Sequence, residues 1–206
     1  MNKIPSDSWL QTTEIEELVQ AVEHCAELAS AVPYDVTRWK WLIPALHIAI
    51  QGAFVCALRG NDPASTAMLT PESARSMRRW WTRDSRRPAP PPRPVERLLP
   101  LPSLYKRAVS PEYLGKPYTL AQNRQTRADL AKLIRLRQEL STFIPGGFAL
   151  EVGALAGLVR TCCGVIEHLA VSHPTFWRHL QRVEKKRIDF ALTALRKAMN
   201  KREARA

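Results

Sequence analysis

The sequence has few of the residues on which several classes of protein depend. Four Cys in 206 residues are too few for a disulfide scaffold, and none stands in a C-x-x-C pair. The five His form neither an H-E-x-x-H motif nor a Cys/His zinc pattern, and no P-loop, G-x-S-x-G or G-x-G-x-x-G motif is present. We therefore expect no metal and no cofactor. We also expect reduced thiols that pack as small hydrophobic groups.

Long apolar runs are also scarce. A single stretch of 18 residues without formal charge, WLIPALHIAIQGAFVCAL from Trp41 to Leu58, approaches the length of a membrane span. It contains Pro44, His47 and Gln51, and polar groups are costly in hydrocarbon. The N-terminus has no long apolar segment of the kind found in a signal peptide. The sequence therefore predicts a central core helix, no membrane span and a cytoplasmic protein.

Alternating runs of apolar and polar residues of strand length are absent as well. Apolar residues instead recur every three or four positions in five segments, which is the pattern of amphipathic helices. These segments are approximately 13–31, 36–59, 121–143, 150–171 and 174–199. The sequence predicts an all-α fold, an antiparallel four- to five-helix up-and-down bundle that forms one domain over residues 1–206.

Residues 60–118 break this pattern and predict an inserted segment with a short helix near 71–82. Seven Pro fall between Pro88 and Pro102, and such a run favours polyproline II over a helix. We expect residues 84–103 to form a mobile, Pro/Arg-rich loop. The stretch from Pro88 to Arg93 also matches the P-x-x-P-x-R pattern of a polyproline ligand. Residues 200–206 are expected to form a basic tail.

Positive charge is concentrated in two parts of the chain, whose formal net charge is +12. Residues 75–107 hold ten basic and two acidic residues, and residues 178–206 hold ten basic and three acidic residues. Clustered Arg and Lys attract polyanions by neutralising phosphates and releasing counterions, although they also serve simply as a solvated surface. The candidate nucleic-acid contacts are Arg78, Arg79, Arg83, Arg86, Arg87, Lys185, Lys186 and Arg187.

One further cation, Arg137, stands at helical spacing from apolar residues. It follows Leu133 by four positions and precedes Leu140 by three, which places it on the apolar stripe of its helix. A buried Arg is rare unless it is paired or functional. The alternatives are an ion pair with Glu139 or Glu151, or a side chain that extends to solvent.

The stretch 136–151, LRQELSTFIPGGFALE, resembles the signature of a bacterial branch of the HEPN superfamily, which runs roughly L-R-N-x-F-x-H-F-x-P-K-G-W-S-I-E. Segments 38–60 and 159–169 are similar to the second and fourth helices of that family. The resemblance covers about 120 residues in three pieces and implies a small all-α bundle that forms a homodimer, with the contact near 137–148. The matching positions are Arg137, Phe143, Pro145, Gly147 and Glu151, with Phe148 at the aromatic position.

The resemblance also implies where catalysis would lie. In active HEPN ribonucleases, Arg and His of an R-x4–6-H motif cleave RNA without a metal. Here Gln138 replaces the Asn of the family pattern and Thr142 stands at the His position, so the motif is degenerate. Thr has no pKa near neutrality with which to exchange protons, whereas imidazole has. Arg137 and Thr142 therefore predict a non-catalytic module.

Three functions follow from these observations. The first is a non-catalytic HEPN-like helical module that binds nucleic acid or a protein partner in a stress or defence context. The second is a metal-independent ribonuclease that uses a non-standard His, such as His168 or His173. The third is a polyproline or basic adaptor that acts through residues 84–103. We favour the first, because the family His is missing.

Overall fold

The computed structural model describes residues 12–59, 67–82, 92–142, 149–171 and 182–203. In these ranges the chain forms eight α-helices and no strand, so the predicted all-α bundle is confirmed. An isolated antiparallel bridge joins Leu69 to Leu98. The helices are α1 (Glu14–Ala31), α2 (Trp39–Arg59), α3 (Pro71–Trp81), α4 (Leu101–Ala108), α5 (Pro111–Leu114), α6 (Arg124–Ser141), α7 (Leu155–Val171) and α8 (Arg182–Glu203).

Four helices form the core of the bundle. Helix α1 packs against α2 and α8, and α7 closes the ring by packing against the same two helices. The start of α1 is fixed by a capping box, in which the Glu16 amide donates to the Thr13 hydroxyl and the Thr13 amide donates to the Glu16 carboxylate. Helices α6 and α4 cover the outer side of α2. The interior is therefore built from the amphipathic segments that the sequence predicts.

Helix α2 lies at the centre, as expected, because α1, α4, α6 and α7 all contact it. It continues through Pro44, which stands in its second turn. With the short 3-10 turn before it, Val36–Arg59 is the one described stretch that is long and apolar enough to cross a membrane, and 61% of its most apolar window is buried inside the bundle. Two large side chains of α2, Trp41 and Ile48, nevertheless remain exposed. The absence of a membrane span stays a prediction.

The segment 60–118 differs from its prediction. Helix α3 forms as expected, but the loop predicted over 84–103 ends early because α4 begins at Leu101. Pro100 and Pro102 stand at the cap and first turn of α4, where a missing N–H costs no hydrogen bond. Leu104 and Tyr105 are buried against the core, so α4 belongs to the bundle. Residues 84–91 lie outside the described residues.

Residues 92–100, although not helical, are held against the start of α3. The Arg97 amide donates to the Ser73 hydroxyl at 2.9 Å, and that hydroxyl donates to the Val95 carbonyl at 2.8 Å. The Leu99 amide donates to the Met68 carbonyl at 2.9 Å. The sequence predicts a basic tail over residues 200–206, but the first part of this segment is helical, because α8 continues through residue 200 to Glu203.

Candidate nucleic-acid interface

Arg137 is exposed and not buried with the apolar stripe of α6, which agrees with the alternative in which its side chain extends to solvent. The buried side of α6 is formed by Asp129, Leu130, Leu133 and Leu136. Arg137 lies only about 40° from Leu133 around α6, but it stands in the last turns of the helix, beyond the last buried residue, Leu136. It forms no ion pair with any described residue; the neighbouring ion pair on this helix joins Arg135 to Glu139. The guanidinium of Arg137 is thus accessible to an anion from solvent.

The second motif position, Thr142, follows the last residue of α6 and is also exposed. Its hydroxyl donates to the carbonyl of Gln138 at 2.9 Å, a common local bond of Ser and Thr near a helix end. The part of the signature at 143–148, which includes Phe143, Pro145, Gly147 and Phe148, lies outside the described residues. At the two motif positions that are described, the side chains available are a cation and a neutral hydroxyl.

A histidine of the central helix lies near this cation. His47 of α2 is half-buried, and burial, followed by the positive charge of Arg137, lowers its pKa. His168 instead has its Nε2 3.1 Å from the Tyr118 carbonyl oxygen, in a partly buried position. His173 lies outside the described residues. Only the packing of α6 on α2 places Arg137 near His47, which is why the sequence spacing does not indicate this pair.

The first basic patch places its cations beside aromatic rings. Arg78 and Arg79 are exposed on the last turns of α3. Trp80 and Trp81 follow them and form a T-shaped pair with ring centroids 5.0 Å apart, and Trp81 is exposed. Arg83, Arg86 and Arg87, the other candidates of this patch, lie outside the described residues. The end of α3 therefore has exposed Arg and Trp residues within four positions of one another.

The candidates of the second basic patch lie on α8 and differ in their surroundings. Lys186 is exposed, and Lys185 is half-buried. Arg187 forms two hydrogen bonds with the carboxylate of Glu23 on α1, at 2.7 and 2.6 Å, and these bonds lower the pKa of Glu23. Arg187 thus joins α8 to α1. Lys186 is the candidate of this patch best placed to meet a phosphate.

An exposed phenylalanine on α8 is a feature that the sequence pattern does not indicate. The side chain of Phe190 is 79% exposed. Lys186 precedes it by four residues and Lys197 follows it by seven, so helical geometry places all three on one outer face. Val183 is 62% exposed and lies on the same face. The opposite, buried side of α8 includes Ile188, Leu192 and Leu195.

The cysteines have structural positions. Cys25, Cys162 and Cys163 are buried as predicted, and Cys56 is half-buried. Burial raises the pKa of Cys163 to about 12 and that of Cys56 to about 12. No group of three or more His, Cys, Asp or Glu in the described part of the chain could hold a metal ion.

Comparisons with known proteins do not assign the chain to a family. No family model, curated protein or solved structure matches it. The resemblance to the HEPN superfamily therefore stays a prediction that rests on the residues of 136–151.

Proposed function

We propose that this protein is a non-catalytic helical module, similar to HEPN proteins, that binds single-stranded nucleic acid. The observation that carries the proposal is Phe190, a residue that is 79% exposed on the same helix face as Lys186 and Lys197. The end of α3 repeats this combination, with Trp81 beside Arg78 and Arg79. Proteins that bind single strands without sequence preference combine cations for the backbone with aromatic rings on which bases stack.

The physical chemistry of the α8 face supports this proposal. Exposing a large aromatic ring to water is unfavourable, and stacking a base on the ring stabilises the complex by about 1–3 kcal/mol. Lys186 and Lys197 form no ion pair with a described residue, so their charges are available to phosphates. Binding to phosphates releases counterions and weakens as salt is added. We therefore expect salt-sensitive binding with little sequence preference.

We expect no catalysis at the motif positions Arg137 and Thr142. Cleavage through the ribose 2′-hydroxyl needs one group to accept a proton and another to donate one. The hydroxyl of Thr142 has no pKa near neutrality, and it is occupied with the Gln138 carbonyl. Arg137 can bind a phosphate through the N–H groups of its guanidinium.

One observation favours a second candidate function, a metal-independent ribonuclease with a non-standard His. The lowered pKa of His47 leaves a larger share of its imidazole neutral at pH 7, and Arg137 is near enough to contribute to that shift. A neutral imidazole can accept a proton. RNA cleavage in the presence of a metal chelator, lost in both His47→Gln and Arg137→Ala while the fold is kept, would establish this candidate. The polyproline adaptor formed by 84–103 stays a prediction. It is tested by measuring partner binding after deletion of residues 84–91 alone, because Leu101 is buried in the bundle.

The proposal is tested with a labelled single-stranded RNA and a charge-matched pair of variants. We expect the double variant Lys186→Gln/Lys197→Gln to bind the RNA more weakly. A plot of the logarithm of its binding constant against the logarithm of the salt concentration should also be less steep, by about 0.7 for each lost phosphate contact. The control, Lys116→Gln with Arg135→Gln, removes the same charge from exposed positions outside α3 and α8. Equal weakening by both variants would mean that net charge alone binds the RNA, which would contradict the proposed surface.

A further inference from the structure

A cavity of about 920 Å³ opens between α4 and the start of α6. Its walls come from the outer side of α4, from the connection before α6 and from the first two turns of α6. None of the described candidate contacts, which are Arg78, Arg79, Lys185, Lys186 and Arg187, lines it, so it is a different place from the outer face of α8. The volume falls within the range of about 300–1,000 Å³ that is usual for small-molecule sites.

Hydrogen bonds hold the walls of this cavity in place. The Tyr105 hydroxyl of α4 donates to the Asn123 carbonyl and accepts from the Asn123 amide, both at 3.3 Å. The Leu120 amide donates to the Ala108 carbonyl at 3.0 Å, which ties the connection to the end of α4. Asn123 then caps α6 through its side chain, which accepts from the Gln125 amide at 2.8 Å. Because these walls are already held in place, the protein loses little conformational entropy when a ligand binds in the cavity.

Among the residues that the structure describes, those that line the cavity and carry charge are all cations. Lys106, Arg124 and Arg127 are exposed, and none of them forms an ion pair with a described residue. No described Asp or Glu lines the cavity. Three like charges around one space repel one another, and an anion between them would relieve that repulsion.

Two charged side chains near the cavity, those of Arg107 and Asp129, are bonded to other groups. Arg107, next to Lys106, hydrogen-bonds the Ala67 carbonyl and lies over the ring of Tyr113, on another side of α4. Asp129 of α6 accepts from Thr161 at 2.7 Å and from Gln125 at 3.0 Å, and it lines a separate cavity. The three lining cations thus keep their charge uncompensated while charged groups close to them are engaged elsewhere.

The remaining lining residues include an apolar surface. Leu130 and Tyr105 are almost fully buried beneath the cavity, and Pro102 and Val109 lie at its sides. Such a surface is suited to the carbon skeleton or planar ring of a small molecule and not to a bare anion alone. We propose that this cavity binds a small organic phosphate, with its phosphate on Lys106, Arg124 and Arg127 and its apolar part against Leu130 and Val109.

The experiment measures binding of ADP, pyrophosphate and adenosine to the purified full chain by titration calorimetry, with the melting temperature as a second readout. We expect ADP to bind more tightly than pyrophosphate and adenosine to bind least. Arg127→Gln should weaken ADP binding about tenfold or more, because it removes a charge-assisted hydrogen bond. The control, Arg135→Gln, stands two turns further along α6 outside the cavity and should change the ADP affinity by less than about twofold.

Several results would overturn the proposal. These are absence of ADP binding at millimolar concentration, equal affinity for adenosine and ADP, or equal affinity for pyrophosphate and ADP. If Arg127→Gln and Lys106→Gln both bind ADP as tightly as the wild type does, ADP binds outside this cavity. Arg127→Gln that weakens RNA binding while ADP fails to bind would make the cavity part of a nucleic-acid surface. The proposal stands apart from the nucleic-acid function, since ADP binding here does not depend on Phe190.

Discussion

At the scale of single residues, the cysteine thiols offer a direct check on the packing. Burial raises the pKa of Cys25, Cys162 and Cys163 well above the ordinary thiol value, so almost none of these thiols ionises near neutral pH. We expect the folded protein to react slowly with a thiol reagent at about pH 8, with Cys56 reacting first because it is only half-buried. All four thiols should react rapidly in denaturant. Rapid labelling of two or more thiols in the folded protein would contradict this packing.

His47 should make stability depend on pH. Its pKa is lowered in the folded state, mainly by burial, so the unfolded chain takes up the proton first as pH falls below the ordinary value of 6.5. Stability is therefore complete above that value and declines below it, by at most about 1.4 kcal/mol for each pH unit. Comparing urea unfolding at about pH 7.5 and pH 5.5, we expect a smaller decline in His47→Gln than in the wild type.

The chosen pH window keeps the carboxylates out of this measurement. Arg187 and Arg196 lower the pKa of Glu23 and Glu167 below the ordinary 4.5 through hydrogen bonds. Their contribution is present above that ordinary value and is lost only at lower pH. An identical decline in the wild type and in His47→Gln would show that His47 does not carry the effect.

At the scale of single elements, two glycines differ in what their positions require. Gly164 lies within α7 and is exposed, and open space surrounds the position that a Cβ atom would take there. Gly115 ends α5 with a φ of 75°, in the region that disfavours a side chain. We expect Gly164→Ala to stabilise the protein by about 1 kcal/mol and Gly115→Ala to destabilise it by about 1–2 kcal/mol.

Thermal or urea unfolding of the two Ala variants measures this difference. A stabilising Gly115→Ala would contradict the left-handed backbone assigned to that residue. A destabilising Gly164→Ala would mean that this face of α7 is covered and not exposed.

The sequence predicts the helices well where one side of the helix meets the core. The stripe of α1 and the apolar length of α2 follow from spacing alone, because burial imposes a period of 3.6 residues. Helix α4 is missed because Pro100 and Pro102 resemble a break, although Pro is well tolerated at a first turn. The exposure of Arg137 does not follow from spacing, because spacing gives its angle on α6 but not how far α2 covers that helix.

At the scale of the whole molecule, the candidate surface could be predicted only in part. Clustered charge in the sequence indicates both basic patches, but it does not distinguish Lys186, which is exposed, from Arg187, which is bonded to Glu23. The exposure of Phe190 depends on which side of α8 meets α1 and α7. The cavity beside Arg127 is formed by residues from two segments about twenty positions apart, and only the fold brings them together.

Self-association stays a prediction that rests on the resemblance to HEPN proteins. We expect a homodimer whose contact includes the end of α6 near Arg137. Light scattering at high micromolar concentration should give the mass of a dimer. A monomer in the wild type at that concentration would exclude the dimer.

The central claim is that the outer face of α8 binds single-stranded nucleic acid without cleaving it. Fluorescence anisotropy of a labelled single-stranded RNA, with a metal chelator present, tests this most directly in Phe190→Ala and its matched control Val183→Ala. Both changes truncate an exposed apolar side chain on the same face, but only the first removes a ring. We predict that Phe190→Ala weakens binding about 5- to 150-fold, as expected for one lost stacking contact, that Val183→Ala changes it little, and that the RNA stays intact. Equal affinity of the wild type and Phe190→Ala, or metal-independent cleavage of the RNA, would contradict the account.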